Sequence, residues 1–338
     1  MSPLLRPATP QDLPAIYAMA KRTGGGFTNL PPDRRALKAK LERAAASFAR
    51  EGDTLADDQY VFVLEAGPGG QVIGTCQVFA QVGSSWPFYS YRRGVLSQTS
   101  KALGRSFRAE MLSLCTDLDG CTEVGGLYLL PDERAAGTGA LLARSRYLFI
   151  AMHRPRFADR TIAELRGAHD ETGGSPFWDG VAGRFFGMSF READDFNAVH
   201  GNQFIADLMP KHPLYLAMLP ETALAAIGVP HNSGRAAMRM LENEGFTHEH
   251  YIDIFDGGPT MVAQTDRIAT VQAARTQPVL AVREPAHAEL SLVATGHLGS
   301  FRCTFGHIEA TREGVILDPT AAAALGVVPG ATVTHVPR

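Results

Sequence analysis

Hydrophobic positions recur at helical spacing in two short segments before the first clear strands. Residues 13–20 carry an apolar stripe behind a capping pattern formed by Thr9 and Asp12, and the glycines at 24–26 should end this helix. A second helix should follow Pro31-Pro32. Its predicted apolar face comprises Leu37, Leu41, Ala44 and Phe48.

Two pairs of β-forming runs come next and predict a meander of strands. Residues 60–65 and 71–79 flank a turn rich in glycine and proline, which is typical of a hairpin. Residues 110–115 and 122–130 repeat that pattern around the polar segment 117–120. Each pair should therefore form two antiparallel neighbours.

The hydrophobic period changes after this meander. Residues 139–152 carry apolar side chains at helical spacing and end before Pro155, because proline removes a hydrogen-bond donor and terminates helices. Ser175 and Pro176 form an N-cap followed by proline at the first helical position. The other predicted elements are a strand at 161–165, helices at 221–227 and 235–244, and a strand at 246–255.

Short β-like runs divided by glycine and proline dominate from about Gln277. They lie at 290–293, 301–308, 315–317 and 332–336, with one helical turn at 321–324. We therefore predict an α/β (α+β) protein in which residues 1–265 form a mixed core and residues 277–338 form a small β-rich C-terminal domain. The core should hold the chemistry.

The composition limits the classes of partner. The 338 residues carry a formal net charge of -3 and are 45% hydrophobic, and the pI is about 6.4. This balance argues against a broad basic face for nucleic acid. The four cysteines are too far apart for a CxxC metal or redox pair. Because the sequence contains no long apolar run and no leader-like start, we expect no membrane partner and a cytoplasmic location.

One strand-to-helix junction has the composition of an anion site. After the strand at 122–130, Arg134, Gly137 and Gly139 form an Arg-x-x-Gly-x-Gly pattern that opens the helix at 139–152. Glycines let the main chain approach a ligand, and the free amides of a helix N-terminus attract phosphate. The same pattern is also compatible with a tight turn that binds nothing. No GxxxxGK[ST] and no strand-linked GxGxxG is present.

In this context the junction resembles the acyl-CoA loop of the GCN5-related N-acetyltransferase superfamily, and the opening around Arg6 resembles that superfamily's first strand and helix. More specifically, the whole chain resembles the arginine N-succinyltransferase family. The segments that carry this resemblance are 23–26, 28–31, 60–65, 175–178, 206–213 and 251–260. Two positions depart from the family pattern: Asp207 stands in place of glutamate, and Asn232 follows His231 in place of proline.

The resemblance implies a GCN5-related mixed sheet flanked by helices, and transfer of the succinyl group of succinyl-CoA to the α-amino group of L-arginine. It implies His231 as the proton donor. Main-chain groups of Leu127 would bind the CoA pantetheine, and Arg134, Gly137 and Gly139 would meet its pyrophosphate. Succinyl-CoA is then a co-substrate, with no metal and no permanently bound cofactor. Family members assemble into oligomers, so a homo- or hetero-oligomer is expected.

Several alternatives stay open on the sequence alone. The amine could be ornithine, the acyl group could differ, or the chain could be a non-catalytic subunit of a heteromeric enzyme. His248 and His250 alternate along one strand, but no third metal ligand follows at a recognisable spacing. The candidate carboxylates for a guanidinium are Glu164, Asp170, Glu171, Asp253 and Asp256. The candidate cations for a succinyl carboxylate are Arg92, Arg93 and Arg166.

Overall fold

The structure is a computed structural model that describes residues 2–23, 29–134, 137–201 and 203–338. The glycines at 24–26, predicted to end the first helix, lie outside these residues, as do Ala135 and Ala136 of the Arg-x-x-Gly-x-Gly pattern.

The described chain contains the following strands: β1 (Leu4–Pro7), β2 (Gln59–Glu65), β3 (Val72–Phe79), β4 (Ser90–Ser100), β5 (Arg105–Cys115), β6 (Thr122–Leu129), β7 (Arg160–Glu164), β8 (Leu214–Tyr215), β9 (Thr247–Asp253), β10 (Pro259–Gln264), β11 (Arg275–Val282), β12 (Glu289–Thr295), β13 (Arg302–Ala310), β14 (Val315–Leu317) and β15 (Thr332–Pro337). The α-helices are α1 (Leu13–Ala20), α2 (Arg34–Ala49), α3 (Thr138–Met152), α4 (Pro176–Gly180), α5 (Gly183–Phe186), α6 (Phe190–His200), α7 (Gln203–Leu208), α8 (Glu221–Ala226), α9 (Arg235–Asn243), α10 (Ala269–Ala273) and α11 (Pro319–Leu325).

The strands form one mixed sheet in the order β12-β15-β11-β14-β13-β1-β2-β3-β6-β7-β10-β9-β4-β5-β8. Strand β12 also pairs with β13, so the last five strands close on themselves. Strand β1 joins this closed group to the rest of the sheet through the pair Leu5–Cys303. The predicted mixed α/β architecture with a β-rich C-terminal region is confirmed, whereas its division at residues 265–277 stays a prediction.

The helices near the N-terminus follow the hydrophobic pattern closely. The Thr9–Asp12 capping box is present, and the predicted apolar face of α2 is buried. Helix α3 begins one residue before its predicted start and ends at Met152 as predicted. Ser175 caps α4 by accepting a hydrogen bond from the Trp178 amide at 3.2 Å. In each case local capping and packing favour the same element.

The predicted meander is half right. Strands β2 and β3 form the expected hairpin. The second predicted pair is wrong, because β5 pairs with β4 and β8, while β6 pairs with β3 and β7. The prediction missed β4, whose residues beyond Tyr91 are largely exposed and therefore lack the alternation that marks a half-buried strand.

An aromatic cluster ties α3 to the sheet and to the C-terminal strands. The ring of Phe149 lies 5.0 Å from Phe62 and 5.1 Å from Phe301, both in edge-to-face geometry. Such pairs add to the free energy gained by burying the rings. They fix the position of α3, whose N-terminus carries the Arg-x-x-Gly-x-Gly junction. In the described part of the chain, no helix has the length and apolarity needed to cross a membrane.

Candidate functional site

Strands β6 and β7 run parallel for two residue pairs and then separate. They pair at Thr122–Thr161 and Glu123–Ile162, and no further pair joins them within these two fully described strands. Gly126 has a left-handed backbone, with φ 57°, and the register of β6 against β3 is interrupted at this bulge. Beyond Glu123, β6 has no ladder pairing with β7, and we call this unpaired side of β6 the cleft. An extended ligand could pair with the main chain there.

Leu127 lies in the bulge of β6, next to Gly126. Its side chain is half-buried and packs against the main hydrophobic core. Leu127 can therefore be a core residue and a ligand-binding residue at once. Its side chain contributes to the core, while its main chain belongs to the part of β6 that borders the cleft. Its predicted contact with pantetheine stays a prediction.

Arg134, Gly137 and Gly139 meet at the N-terminus of α3. The Arg134 side chain is exposed, and its Nε donates to the Leu129 carbonyl at 3.2 Å. Gly137 occupies the N-cap with φ 85°, a conformation that favours glycine. A Cβ atom at Gly139 would find no atom within 4 Å. Gly137 thus has a conformational reason to be glycine, whereas the space around Gly139 is open to a ligand.

His231 lies on the loop before α9 and caps a short turn at Asn232–Gly234. Its Nδ1 is 2.7 Å from the Ser233 hydroxyl, and the Ser233 amide donates to the same nitrogen at 3.2 Å. The His231 amide donates to the Arg166 carbonyl at 2.8 Å. These contacts attach the His231 loop to the segment that continues β7. Because β6 and β7 are parallel, their carboxyl ends bring this loop and the N-terminus of α3 to the same edge of the sheet.

Arg166 and His169 accompany His231 at this edge. A terminal nitrogen of the Arg166 guanidinium donates to His169 Nδ1 at 2.7 Å. The His169 ring packs against Phe190 at 4.8 Å and against His231 at 5.5 Å between centroids. Among the described residues, Arg166 Nε and His169 Nε2 are buried and have no hydrogen-bond partner.

Both histidines favour the neutral state. Burial and the positive charge of Arg166 lower the pKa of His231 below its ordinary value of 6.5. Burial, Arg166 and His231 together lower the pKa of His169 to about 4. At neutral pH this edge of the sheet therefore contains two uncharged imidazoles beside one guanidinium.

The face of the sheet next to this edge carries a buried carboxylate. Glu164 pairs with Thr260 across β7 and β10, and Asp253 pairs with Ser90 across β9 and β4. Glu164 Oε1 and the hydroxyls of Ser90 and Thr260 are buried without a hydrogen-bond partner of ordinary geometry among the described residues. Burial, Asp253 and Glu123 raise the pKa of Glu164 well above its ordinary value. A cationic ligand at this face would satisfy these groups.

Three of the other four candidate carboxylates hold main-chain turns, and the fourth, Glu171, is exposed. Asp256 accepts from the amides of Gly167 and Gly258, and Asp253 accepts from those of Phe255 and Asp256. The exposed Asp170 accepts from Thr172 and Gly174 within its own loop. These contacts stabilise the turn between β9 and β10, its link to Gly167, and the loop at 170–174.

Two of the three candidate arginines form ion pairs on the protein surface. Arg92 pairs with Asp117 at 2.8 Å, and Arg93 pairs with Glu110 at 2.9 Å.

His248, considered as a metal ligand, has its Nε2 2.9 Å from the Tyr251 carbonyl. Across the residues that the structure describes, no group of three or more His, Cys, Asp or Glu side chains is placed to hold a metal ion.

Comparison with models of known protein families identifies the family of this chain. The sequence model of the family described as "Arginine N-succinyltransferase beta subunit" matches residues 3–270, and the model of its C-terminal domain matches residues 275–337. The chain belongs to the arginine N-succinyltransferase family. The resemblance in the sequence motifs is thereby confirmed.

Relatives in the arginine N-succinyltransferase family match nearly the whole chain. A protein named arginine N-succinyltransferase from Enterobacter sp. (strain 638) is 40% identical over 317 residues, which cover 93% of this chain and 91% of the relative. One of that name from Escherichia coli O139:H28 is 39% identical over the same length. The solved structure of arginine/ornithine succinyltransferase subunit AI from Pseudomonas aeruginosa superposes with a TM-score of 0.92 at 34% identity, covering 99% of this chain and 98% of that one.

Three features of this candidate site were not predicted from the sequence. His169 had no motif to mark it, and Thr260 is an ordinary residue of a buried strand. The third is Arg338, whose guanidinium lies where a Cβ atom of Gly137 would be. Thr260, Arg338 and His169 lie against Glu164, Gly137 and His231, which are all distant in the sequence, and hydrophobic periodicity carries no information on such contacts.

Proposed function

We propose that this chain transfers the succinyl group of succinyl-CoA to the α-amino group of L-arginine, giving N2-succinylarginine and CoA. The observation that carries this proposal is 40% identity to a protein named arginine N-succinyltransferase across 93% of the chain. The chain is thus an acyltransferase of arginine catabolism. Succinyl-CoA is a co-substrate, and the reaction requires no metal and no permanently bound cofactor.

The chemistry requires one proton to change place. The neutral amine attacks the thioester carbon, a C–N bond forms, and the C–S bond breaks through an intermediate that carries negative charge on oxygen. The nitrogen loses one proton, and the CoA sulfur gains one. A group that can take the first proton and give the second balances the reaction.

His231 suits this role. Contacts from Ser233 hold Nδ1, so Nε2 is the ring nitrogen available to substrate among the described contacts. The Ser233 hydroxyl can donate to Nδ1 or accept from it, so it can follow either protonation state of the ring. A lowered pKa favours the neutral ring. In the tautomer whose Nδ1 hydrogen is donated to the Ser233 hydroxyl, with the amide contact given up, Nε2 is free to accept the proton from nitrogen before passing it to sulfur.

We assign the CoA moiety to the cleft and to the N-terminus of α3. The unpaired side of β6 supports binding of the pantetheine amides by main-chain groups of Leu127, as an added strand would bind. Arg134, Gly137 and Gly139 then meet the pyrophosphate, with the helix amides supplying further donors. Both segments lie at the same edge of the sheet as His231, which supports a thioester bound near the imidazole.

We assign the guanidinium of the substrate to Glu164. Asp170, Asp253 and Asp256 already accept main-chain hydrogen bonds, and Glu171 is exposed. Glu164 instead has a buried oxygen without a hydrogen-bond partner of ordinary geometry among the described residues. Binding of a guanidinium would keep Glu164 ionised despite its burial, because an opposite charge favours the charged form.

A second candidate function has support from the solved relative, whose name includes ornithine and a subunit label. Succinylation of ornithine, or activity only in a complex with a second chain, is therefore the alternative. We also propose that the protein assembles into an oligomer and acts in the cytoplasm.

The deciding experiment measures thiol release by the purified protein with succinyl-CoA and L-arginine. Parallel reactions contain acetyl-CoA, L-ornithine or the variant His231→Ala. Turnover with succinyl-CoA and arginine that collapses in the variant supports the proposal. Faster turnover with ornithine would establish the alternative amine, and saturable succinyl-CoA binding without turnover would favour a partner-dependent subunit.

A further inference from the structure

Arg166 and His169 present two buried donors with nothing to bind. The Arg166 guanidinium can only donate, so His169 Nδ1 accepts its 2.7 Å hydrogen bond. In the neutral ring this leaves the hydrogen on Nε2. Arg166 Nε also carries a hydrogen, and neither nitrogen has a partner among the described residues.

Burial of these two donors without a hydrogen-bond partner lowers the stability of the ligand-free protein. A buried carboxyl such as Glu164 can take up a proton and become neutral, but a guanidinium stays charged even where burial lowers its pKa. The charges of Asp256 and Asp194 act on Arg166, but one Asp256 oxygen accepts from the Gly167 amide and the other from the Gly258 amide, and Arg166 Nε still has no hydrogen-bond partner among the described residues. An unsatisfied donor on a buried cation is therefore expected to meet an anion.

The position of the pair relates it to the proposed reaction. The Arg166 carbonyl holds the His231 amide, and the His169 ring faces the His231 ring. An anion bound by Arg166 and His169 would therefore lie beside the imidazole that handles the proton. Both substrates carry a carboxylate close to the reacting atoms: the distal carboxylate of the succinyl group and the α-carboxylate of the amino acid.

We propose that Arg166 and His169 form the carboxylate-binding subsite of this enzyme, in which the guanidinium and His169 Nε2 grip one substrate carboxylate. The assignment rests on the proposed succinyl transfer. A planar guanidinium matches the two oxygens of a carboxylate, and the neutral His169 adds a directed donor without a second positive charge.

The test compares each substrate with an analogue that lacks its carboxylate. Butyryl-CoA replaces the succinyl carboxylate with a methyl group, and agmatine is arginine without its α-carboxylate. The variants are Arg166→Gln, Arg166→Lys and His169→Phe, the last of which keeps a ring against Phe190. Arg93→Gln is the matched control, because Arg93 pairs with Glu110 on the surface.

We expect Arg166→Gln to lower kcat/KM about 100-fold for the substrate whose carboxylate it binds, and to change the matching analogue only a few-fold. Loss of the succinyl-CoA over butyryl-CoA preference assigns the subsite to the acyl group, whereas loss of the arginine over agmatine preference assigns it to the amino acid. Arg166→Lys should recover part of the loss, and His169→Phe should act in the same direction with a smaller effect. Equal loss for carboxylate and analogue in both pairs, or no loss, would overturn the proposal.

Calorimetric binding separates this inference from the proposed function. If the wild-type protein turns over no pair, titration of succinyl-CoA, butyryl-CoA, arginine and agmatine into wild type and Arg166→Gln still reports whether a carboxylate depends on Arg166. Thermal unfolding of each variant identifies any that fail to fold, in which case Arg166→Lys and His169→Phe decide the result.

Discussion

The guanidinium of Arg338 lies against Gly137, the residue that precedes helix α3. A Cβ atom at Gly137 would collide with this guanidinium. The Arg338 guanidinium carbon also lies 5.2 Å from the centroid of the Phe305 ring, so the same side chain contacts β13. Arg338, in the β-rich C-terminal region, therefore contributes a positive charge beside the N-terminus of helix α3, which we propose binds the CoA pyrophosphate.

This relationship predicts different outcomes at the two glycines of the junction. Gly137→Ala should destabilise the protein by about 1–2 kcal/mol, because φ 85° disfavours a side chain, and it should displace Arg338. The KM for succinyl-CoA should rise on the order of tenfold. Thermal unfolding and initial rates measure both effects.

Gly139→Ala is the matched control for folding. Its Cβ would meet no atom within 4 Å, and alanine favours a helix by up to about 1 kcal/mol, so the melting temperature should hold or rise. A raised KM for succinyl-CoA in this well-folded variant would reflect close approach of the ligand to the main chain. An unchanged KM in both variants would argue against a pyrophosphate at this helix.

Ser233 should position His231 without taking part in the chemistry. Ser233→Ala removes the hydroxyl that lies 2.7 Å from Nδ1 but keeps the amide contact at 3.2 Å. We expect kcat to fall about tenfold, against a loss on the order of 100-fold or more in His231→Ala. KM values should change little. The exposed neighbour substitution Asn232→Ala serves as the control, and a kcat for Ser233→Ala equal to wild type would remove Ser233 from the mechanism.

Capping residues and hydrophobic periodicity predicted the helices and strands whose caps and buried faces depend on nearby residues in the sequence. They did not predict contacts between residues that the sheet brings together. The apolar face of α2 and the cap at Ser175 depend on neighbours in the sequence, so patterning was sufficient. The pairing of β5 with β4 could not be predicted in the same way, because β4 is mostly exposed and has no alternation. His169 acquires its significance from Arg166 and from the distant His231 loop.

Glu164 should select a cation rather than stabilise the fold. Glu164→Gln should raise the KM for arginine at least tenfold and leave turnover of citrulline, which carries a neutral urea group, nearly unchanged. The substitution should also raise the melting temperature. Because the pKa of Glu164 is raised in the folded state, its ionisation costs stability once the pH exceeds the unfolded value of about 4.5.

The stability gain of Glu164→Gln should therefore be absent near pH 4 and should grow as the pH rises toward neutrality. The exposed Glu171→Gln provides the control, with no change in either quantity. If Glu164→Gln lowered the melting temperature and affected arginine and citrulline equally, Glu164 would be a structural residue instead.

His153 should make the fold sensitive to acid. Its Nδ1 lies 2.9 Å from the Phe149 carbonyl, and its Nε2 accepts from the Leu298 amide at 3.1 Å, so the contacts require a neutral ring. Burial lowers its pKa to about 4, against 6.5 when unfolded. The unfolded state therefore binds the extra proton between these values, and by pH 5 this one group should cost about 2 kcal/mol of unfolding free energy.

Urea unfolding at pH 7 and pH 5 measures that loss. His153→Gln should be less stable than wild type at pH 7, because it gives up part of the packing against Phe149 and His297. Its stability should fall less between the two pH values, since glutamine does not titrate. His287→Gln, on an exposed turn, should keep the full wild-type pH dependence. An equal decrease in wild type and His153→Gln would place the acid sensitivity elsewhere, with His169 as the next group to replace, because its pKa is lowered to a similar value.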